Sequence, residues 1–240
     1  TVVIDTPVPH NFVNAASAGA YTVAGSCSEN GRTVSLTSSD LATYTPVCAG
    51  GRFTVNVDFS GVAVDGNVTL LAAHIDAAGN PATPDPQVYV LDRALPTLAV
   101  TSPANGALIS NSAALAYTIS GSCSEGGQSV VFSGDISGTV TCTTGTPNYS
   151  KAFDLSALSD GPVNITVNHS DAAGNAAVAV NQTHTLDKTA PTISYTSPAA
   201  NAFINATTKS SFSVSGSCNS NTRTITFSGA AAGTIACDTG

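Results

Sequence analysis

The side chains with the most chemistry in this sequence are six cysteines, and their spacing repeats. Cys27 and Cys48 are 21 residues apart; Cys123 and Cys142, then Cys218 and Cys237, are 19 apart. Zinc ligands usually come as close pairs such as C-x-x-C, and none is present. Neither a zinc site nor a catalytic dithiol is expected, which leaves paired disulfides or buried free thiols. Paired cysteines in small β units imply an oxidising, extracytoplasmic compartment. The acidic stretch DAAGN occurs at 76–80 and again at 171–175. Its simple role is a turn, in which Asp76 or Asp171 caps backbone N–H groups and Gly79 or Gly174 takes positive φ. Such an open cluster of oxygens could also hold calcium. His74 and His169 stand two residues before these loops, with the inward parity of their strands, and are expected to be packing residues. His10 and His184 have no histidine counterpart. No Ser–His–Asp or paired-carboxylate arrangement accompanies any of them. No catalytic or cofactor-binding residue is therefore assigned, and the chain is not expected to be an enzyme.

The elements that carry these residues recur as well. TVVIDTPVPHNFVN from Thr1 aligns without a gap on TLAVTSPANGALIS from Thr97 and on TISYTSPAANAFIN from Thr192. A repeat this regular decides the architecture before any local feature does. In the middle copy, strands are expected at 97–101, 114–123, 129–133, 138–142, 149–155, 163–169 and 176–186, with at most one helical turn near Ala157 and Leu158. Seven short strands per repeat with regular turns is the signature of a β-sandwich, in which two antiparallel sheets pack their apolar faces together. The expected units are 1–91, 92–186 with a linker at 92–96, and 187–240 with a linker at 187–191. The third stops after its fourth strand. Each linker ends in Pro, at Pro96 and Pro191, so the joints should be extended and stiff.

Bulk properties exclude several roles. Charged residues make up 9% of the chain and the net charge is -8. The seven Lys and Arg are scattered, so nucleic acid is not an expected partner. A hydrophobic content of 42% without Trp calls for a core of Val, Ile, Leu and Ala. No apolar run approaches membrane-spanning length, and no membrane insertion is expected. The sequence starts without Met or a signal peptide, which suggests a processed chain or an excerpt of a longer one. A third unit with four strands would expose the inner faces of both sheets, and the expectation is that the remaining strands continue in a parent chain.

At this point the residues carry a resemblance. A strand ending in GSC, then DLSALSDG, SDAAGN and LDKTAP, is similar to the bacterial Ig-like repeats of large surface adhesins. The fold class this implies is all-β: tandem Ig-like β-sandwich domains of about seven antiparallel strands each, the third incomplete. In Ig strand order the second and fourth strands end at one pole, which would bring together Cys27 and Cys48, Cys123 and Cys142, and Cys218 and Cys237. Closing a loop of about 20 residues is worth about 3 kcal/mol in the chain-entropy model. The resemblance also raises calcium at the joint between the first two units, with Asp92, Glu125, Asp171 and Asn175 as candidate ligands; no cofactor is required. A Lys–Asn crosslink is discounted, because Lys151, Lys188 and Lys209 occupy unrelated positions. The implied function is a non-catalytic stalk segment of a cell-surface adhesin or extracellular filament. Its partners would be neighbouring repeats of the same polypeptide and like chains in a fibre. The alternatives are a module that binds glycan or protein directly, or accessory domains of a secreted hydrolase. A glycan site would need stacking aromatics, and Tyr21 and Tyr117 match one another, with Phe212 in the third unit, as core residues do.

Overall fold

The computed structural model describes residues 1–5 and 12–238; His10 lies outside the described residues. The chain is almost entirely strand and loop. In the first repeat the strands are β1 (Val2–Ile4), β2 (Phe12–Val13), β3 (Tyr21–Cys27), β4 (Val34–Thr37), β5 (Arg52–Val57), β6 (Gly66–His74) and β7 (Asp85–Leu91). They form two sheets, ordered β1-β3-β5 and β2-β7-β6-β4. The second repeat has β8 (Leu98–Ser102), β9 (Leu108–Ser110), the short helix α1 (Asn111–Ala114), β10 (Tyr117–Cys123) and β11 (Ser129–Gly134). It continues with β12 (Gly138–Thr141), β13 (Asn148–Phe153), β14 (Gly161–His169) and β15 (Val180–Asp187). Its sheets are β13-β10-β8 and β12-β11-β14-β15-β9. The third repeat shows β16 (Ile193–Ser197) paired with β17 (Ser215–Cys218), and β18 (Thr224–Phe227) paired with β19 (Gly233–Ala236).

Alternation decides which face is buried. Along β14, Val163, Ile165, Val167 and His169 are buried while their neighbours face outward. The same period runs through β6 at Val68, Leu70, Ala72 and His74. Such side chains interdigitate between two sheets. The buried apolar residues fall into one cluster between Val2 and Leu91 and another between Ile109 and Leu186. Gly25 and Gly121, the glycines of the GSC motifs in the first two repeats, sit where strands and aromatic rings meet. A Cβ on Gly121 would overlap the Ala99 carbonyl and lie 2.7 Å from the Tyr149 hydroxyl.

Four departures from the sequence expectation have physical causes. First, the repeats are not purely antiparallel. The two-residue β2 and three-residue β9 pair in parallel with β7 and β15, the last strands of their repeats. Second, the expected strand beginning at Ala114 begins at Tyr117. The residues before it form α1, with the Ser110 hydroxyl accepting from the Ala113 N–H. Third, the strand expected before Cys48 is reduced to isolated bridges at Tyr44 and Val47, whereas its counterpart β12 is a full ladder strand. Pro46 lies between those bridges and lacks the N–H a ladder requires. Fourth, the last strand starts at Val180, and Ala176 makes only a bridge to Ser170.

Candidate functional site

The surfaces that set one repeat against the next are the candidate site, and they are built from local turn chemistry. The parallel ladder of β2 on β7 continues as a hydrogen bond from the Asp92 N–H to the Val13 carbonyl, 3.0 Å. This seats residues 14–18 beside the linker. There Asn14 Oδ1 accepts from the Ser17 N–H at 3.0 Å and the Ser17 hydroxyl at 2.9 Å, an Asn-capped turn. The turn leaves Asn14 Nδ2 and the Ala15 N–H pointing at the second repeat. Asn14 Nδ2 donates to the Ala173 carbonyl at 3.0 Å, and the Ala15 N–H donates to Asn175 Oδ1 at 2.8 Å. Asn175 Nδ2 in turn donates to the Asp92 carbonyl and to Asp171 Oδ2, both at 2.8 Å. Asp171 and Asn175 are 8% and 4% exposed. In the first repeat the same loop keeps the same internal bonds, Asn80 to Asp76 at 2.9 Å, yet Asn80 is exposed. The second DAAGN loop is therefore both a turn and a latch between repeats.

A second device ties each linker to the repeat before it. Arg93 donates through Nε to Asp65 Oδ1 at 2.7 Å, through Nη1 to the Ser60 carbonyl at 3.0 Å and through Nη2 to the Val62 carbonyl at 2.8 Å. At the next linker Lys188 Nζ donates to the Ser156 carbonyl at 2.9 Å and the Leu158 carbonyl at 2.6 Å. The backbone N–H groups of Arg93 and Lys188 donate to Asp65 and Asp160 at 2.7 and 3.0 Å. These backbone bonds are the main reason both carboxyls are held below the usual range, helped by the Arg93 side chain at Asp65 and the Thr189 hydroxyl at Asp160. Asp92 and Asp187 cap the turn, accepting from the N–H two residues on.

At the opposite edge of each repeat the cysteines are joined: Cys27–Cys48, Cys123–Cys142 and Cys218–Cys237, with Cα separations of 6.0, 6.0 and 6.1 Å. Cys123 ends β10 in one sheet and Cys142 follows β12 in the other, so the bond crosses the sandwich. The second cysteine of each pair is framed identically. The N–H groups of Cys48, Cys142 and Cys237 donate to the carbonyls of Arg32, Gln128 and Arg223, all at 2.8 Å. The two histidines are fully used too. Glu29 and Glu125 N–H groups donate to Nε2 of His74 and His169 at 3.3 Å, while each Nδ1 meets a carbonyl, Thr33 or Ser129, at 3.0 Å. An accepting Nε2 puts the proton on Nδ1. Each ring fastens the end of a strand to the turn that leads toward the disulfide.

Comparison with known proteins adds a family match over part of the chain. Residues 147–234 match the family model described as a bacterial Ig-like domain, group 3. That stretch is bacterial Ig-like sequence. The Ig-like match crosses the linker at 187–191. No curated protein matches. Among solved structures, the fibronectin(III)-like modules of Clostridium thermocellum CbhA superpose with a TM-score of 0.51 at 16% identity, covering 78% of this chain and 95% of that one, a likeness of fold. A Ca2+-stabilized adhesin of an Antarctic bacterium that binds ice is 25% identical at a TM-score of 0.41; the chain spans 63% of that structure's length. A bacterial immunoglobulin-like domain of the M. primoryensis ice-binding adhesin is 29% identical over 38% of this chain and 96% of its own, at a TM-score of 0.30.

The joint between the first two repeats does not present its four candidate calcium ligands as a cage. Asp171 accepts from both the backbone N–H and Nδ2 of Asn175, and Asn175 Oδ1 accepts from Ala15. Because a backbone N–H fixes the amide's oxygen, its donor end faces Asp92 and Asp171, where a cation would have to sit. The Glu125 carboxylate accepts from its neighbour Ser124 at 3.0 Å. Among the described residues no group of three or more His, Cys, Asp or Glu is placed to hold a metal ion. In this arrangement the four residues are bonded to their neighbours and are not gathered on one point. Sequence reasoning missed Asn14, Ala15, Arg93 and Lys188. A signal existed for the last two: Arg93 and Lys188 match in the repeat, as do Asp65-Gly66 and Asp160-Gly161.

Proposed function

We propose that this chain is a non-catalytic stalk segment of a bacterial cell-surface adhesin or extracellular filament, in which tandem Ig-like units at 1–91, 92–186 and 187–240 are held at fixed angles. The observation that carries the reading is the latch: three hydrogen bonds of 2.8–3.0 Å join Asn14 and Ala15 of the first repeat and Asp92 of the linker to Ala173 and Asn175 of the second. A flexible tether would need no such bonds, and the linker clamps at Arg93 and Lys188 act in the same direction. The disulfides support an oxidising location at the cell surface or beyond. A tetra-tandem repeat in the extending region of a large adhesion protein, 20% identical to this chain, is among the similar structures, which supports neighbouring repeats as the partners, with like chains in a fibre as the extended form. Core tyrosines weigh against the glycan-binding alternative: Tyr89, Tyr117 and Tyr149 are buried. Small-angle scattering of the chain tests the reading. A single extended shape is expected, and the double variant Asn175→Ala, Arg93→Ala should broaden the distribution of lengths. An equally broad distribution for the unaltered chain would refute it.

A further inference from the structure

The core of the second repeat holds two polar side chains with nothing to bond. His184 on β15 is 0% exposed, and neither ring nitrogen has a partner among the described residues; the Tyr117 hydroxyl on β10 is buried without one as well. The two rings meet edge-on, with centroids 5.6 Å apart. In the first repeat the same place is filled by aromatic packing. Tyr89, the counterpart of His184, lies 5.7 Å from Tyr21 and 5.6 Å from Phe59. A neutral imidazole tolerates such a site, whereas an imidazolium with no bonded partner is costly to bury. β15 is flanked by β14 on one side and by β9, the sheet edge, on the other. The β14 ladder runs from Gly161 to Val167 and sets Val163 opposite His184. The β9 side is slight: it pairs only from Leu108 to Ser110, and the four-residue α1 follows, packed on β15. Two further bonds hold this segment, from the Leu155 N–H to the Ala114 carbonyl at 2.7 Å and from the Thr185 N–H to the Ala107 carbonyl at 3.0 Å.

We propose that residues 108–116 form an acid-released flap: when His184 takes a proton, β9 and α1 lift from β15 and the charged ring reaches water, while the disulfide end of the repeat stays closed. No charge on the surrounding elements offsets that proton. β9 and α1 carry no ionisable side chain. β10 carries Tyr117, whose hydroxyl burial pushes up to about 12 and so keeps protonated. β14 carries His169 at its far end, bonded through both nitrogens. Asp154, Asp160, Asp187 and Lys188, the charged residues at this end of the repeat, are bonded to turn and linker atoms. The flap reaches the linker, because Ser110 pairs with Asp187. Acid would therefore soften the end of the second repeat next to 187–191 and leave the matching end of the first repeat, built on Tyr89, unchanged. The inference rests on burial and pairing within the second repeat and stands apart from the stalk role.

The test follows amide exchange in the whole 240-residue chain, each rate being referred to that of unstructured peptide at the same pH. Leu155 and Phe59 are matched reporters, their N–H groups donating to the Ala114 and Ala18 carbonyls, both at 2.7 Å. Opening exposes His184 to water, where its ordinary pKa is about 6.5, so the open form gains up to tenfold for each pH unit below that value. Protection of Leu155 and Thr185 should fall about tenfold between about pH 7.5 and about pH 5.5, while that of Phe59 and of β10–β13 holds. In His184→Phe, protection at Leu155 should be the same at both pH values. A proton titration of the His184 ring by NMR in the unaltered chain needs no variant, and the ring should stay neutral well below its ordinary value. Equal protection of Leu155 at both pH values overturns the inference. So does an equal fall at Phe59 or throughout β10–β13, a fall that persists in His184→Phe, or a His184 ring that titrates at its ordinary pKa in the folded chain.

Discussion

Asn175→Ala and Asn80→Ala remove the same side chain from the same five-residue loop, and the latch predicts that they differ. Each substitution loses an amide bond to the loop's own aspartate, 2.8 Å at Asp171 and 2.9 Å at Asp76. Asn175→Ala also loses the acceptor of the Ala15 N–H and the donor to the Asp92 carbonyl, both at 2.8 Å. A net contribution of about 1 kcal/mol per hydrogen bond makes the joint about 2 kcal/mol weaker, while Asn80→Ala leaves the joint untouched. That difference corresponds to roughly a 30-fold change in an opening equilibrium. Native-state hydrogen exchange reads it directly at the Ala15 amide, whose partner is Asn175. Exchange there should accelerate about 30-fold in Asn175→Ala and stay unchanged in Asn80→Ala. Equal behaviour of the two variants at Ala15, or no acceleration in either, would refute the reasoning.

Three further outcomes follow from the packing. Gly121→Ala should cost about 1–3 kcal/mol through overpacking against Ala99 and Tyr149, measured as a lower melting temperature, whereas Gly19→Ala, with nothing within 4 Å of the added carbon, should be nearly neutral. His184 is fully buried with neither ring nitrogen bonded among the described residues, and burial holds its pKa below the ordinary 6.5. The folded state thus favours neutral His184. Its stability contribution is complete above pH 6.5 and is lost as pH falls toward the folded-state pKa, by at most about 1.4 kcal/mol per pH unit. His184→Phe should flatten the acid limb of an urea-unfolding series, and an unchanged slope would count against it. Calcium should leave exchange at 171–175 unaltered, because the Asn175 amide donors occupy the position a cation would need; slowed exchange on addition and recovery with chelator would contradict that geometry.

The strands with clean alternation were visible in the sequence because burial imposes a period of two, as in β6 and β14. β2 and β9 were not, since two or three residues carry no period and their pairing partners lie at the far end of the repeat. α1 lies just ahead of the apolar run ALAYTISGSC and shares only Ala114 with it, and only the cap at Ser110 marks it. The missing strand before Cys48 could have been read from Pro46. At the joint, the DAAGN loop was recognised as a turn, yet nothing in DAAGN itself distinguishes 76–80 from 171–175. The difference lies in what is packed on the loop. Asn14 and Ala15 acquire their role only when β2 pairs with β7 and brings the linker alongside, so no local pattern announces them. Arg93 and Lys188 differ in type but share a place, and comparing the repeats for charge as well as identity would have found the clamp.

The most direct test of a fixed joint is to measure residual dipolar couplings for strand amides of the first two repeats within the whole chain. The account predicts that couplings from β3–β7 and from β10–β15 fit one alignment tensor with a single orientation between the repeats. Two tensors of different magnitude, one for each repeat, would show that the repeats reorient independently and would contradict it.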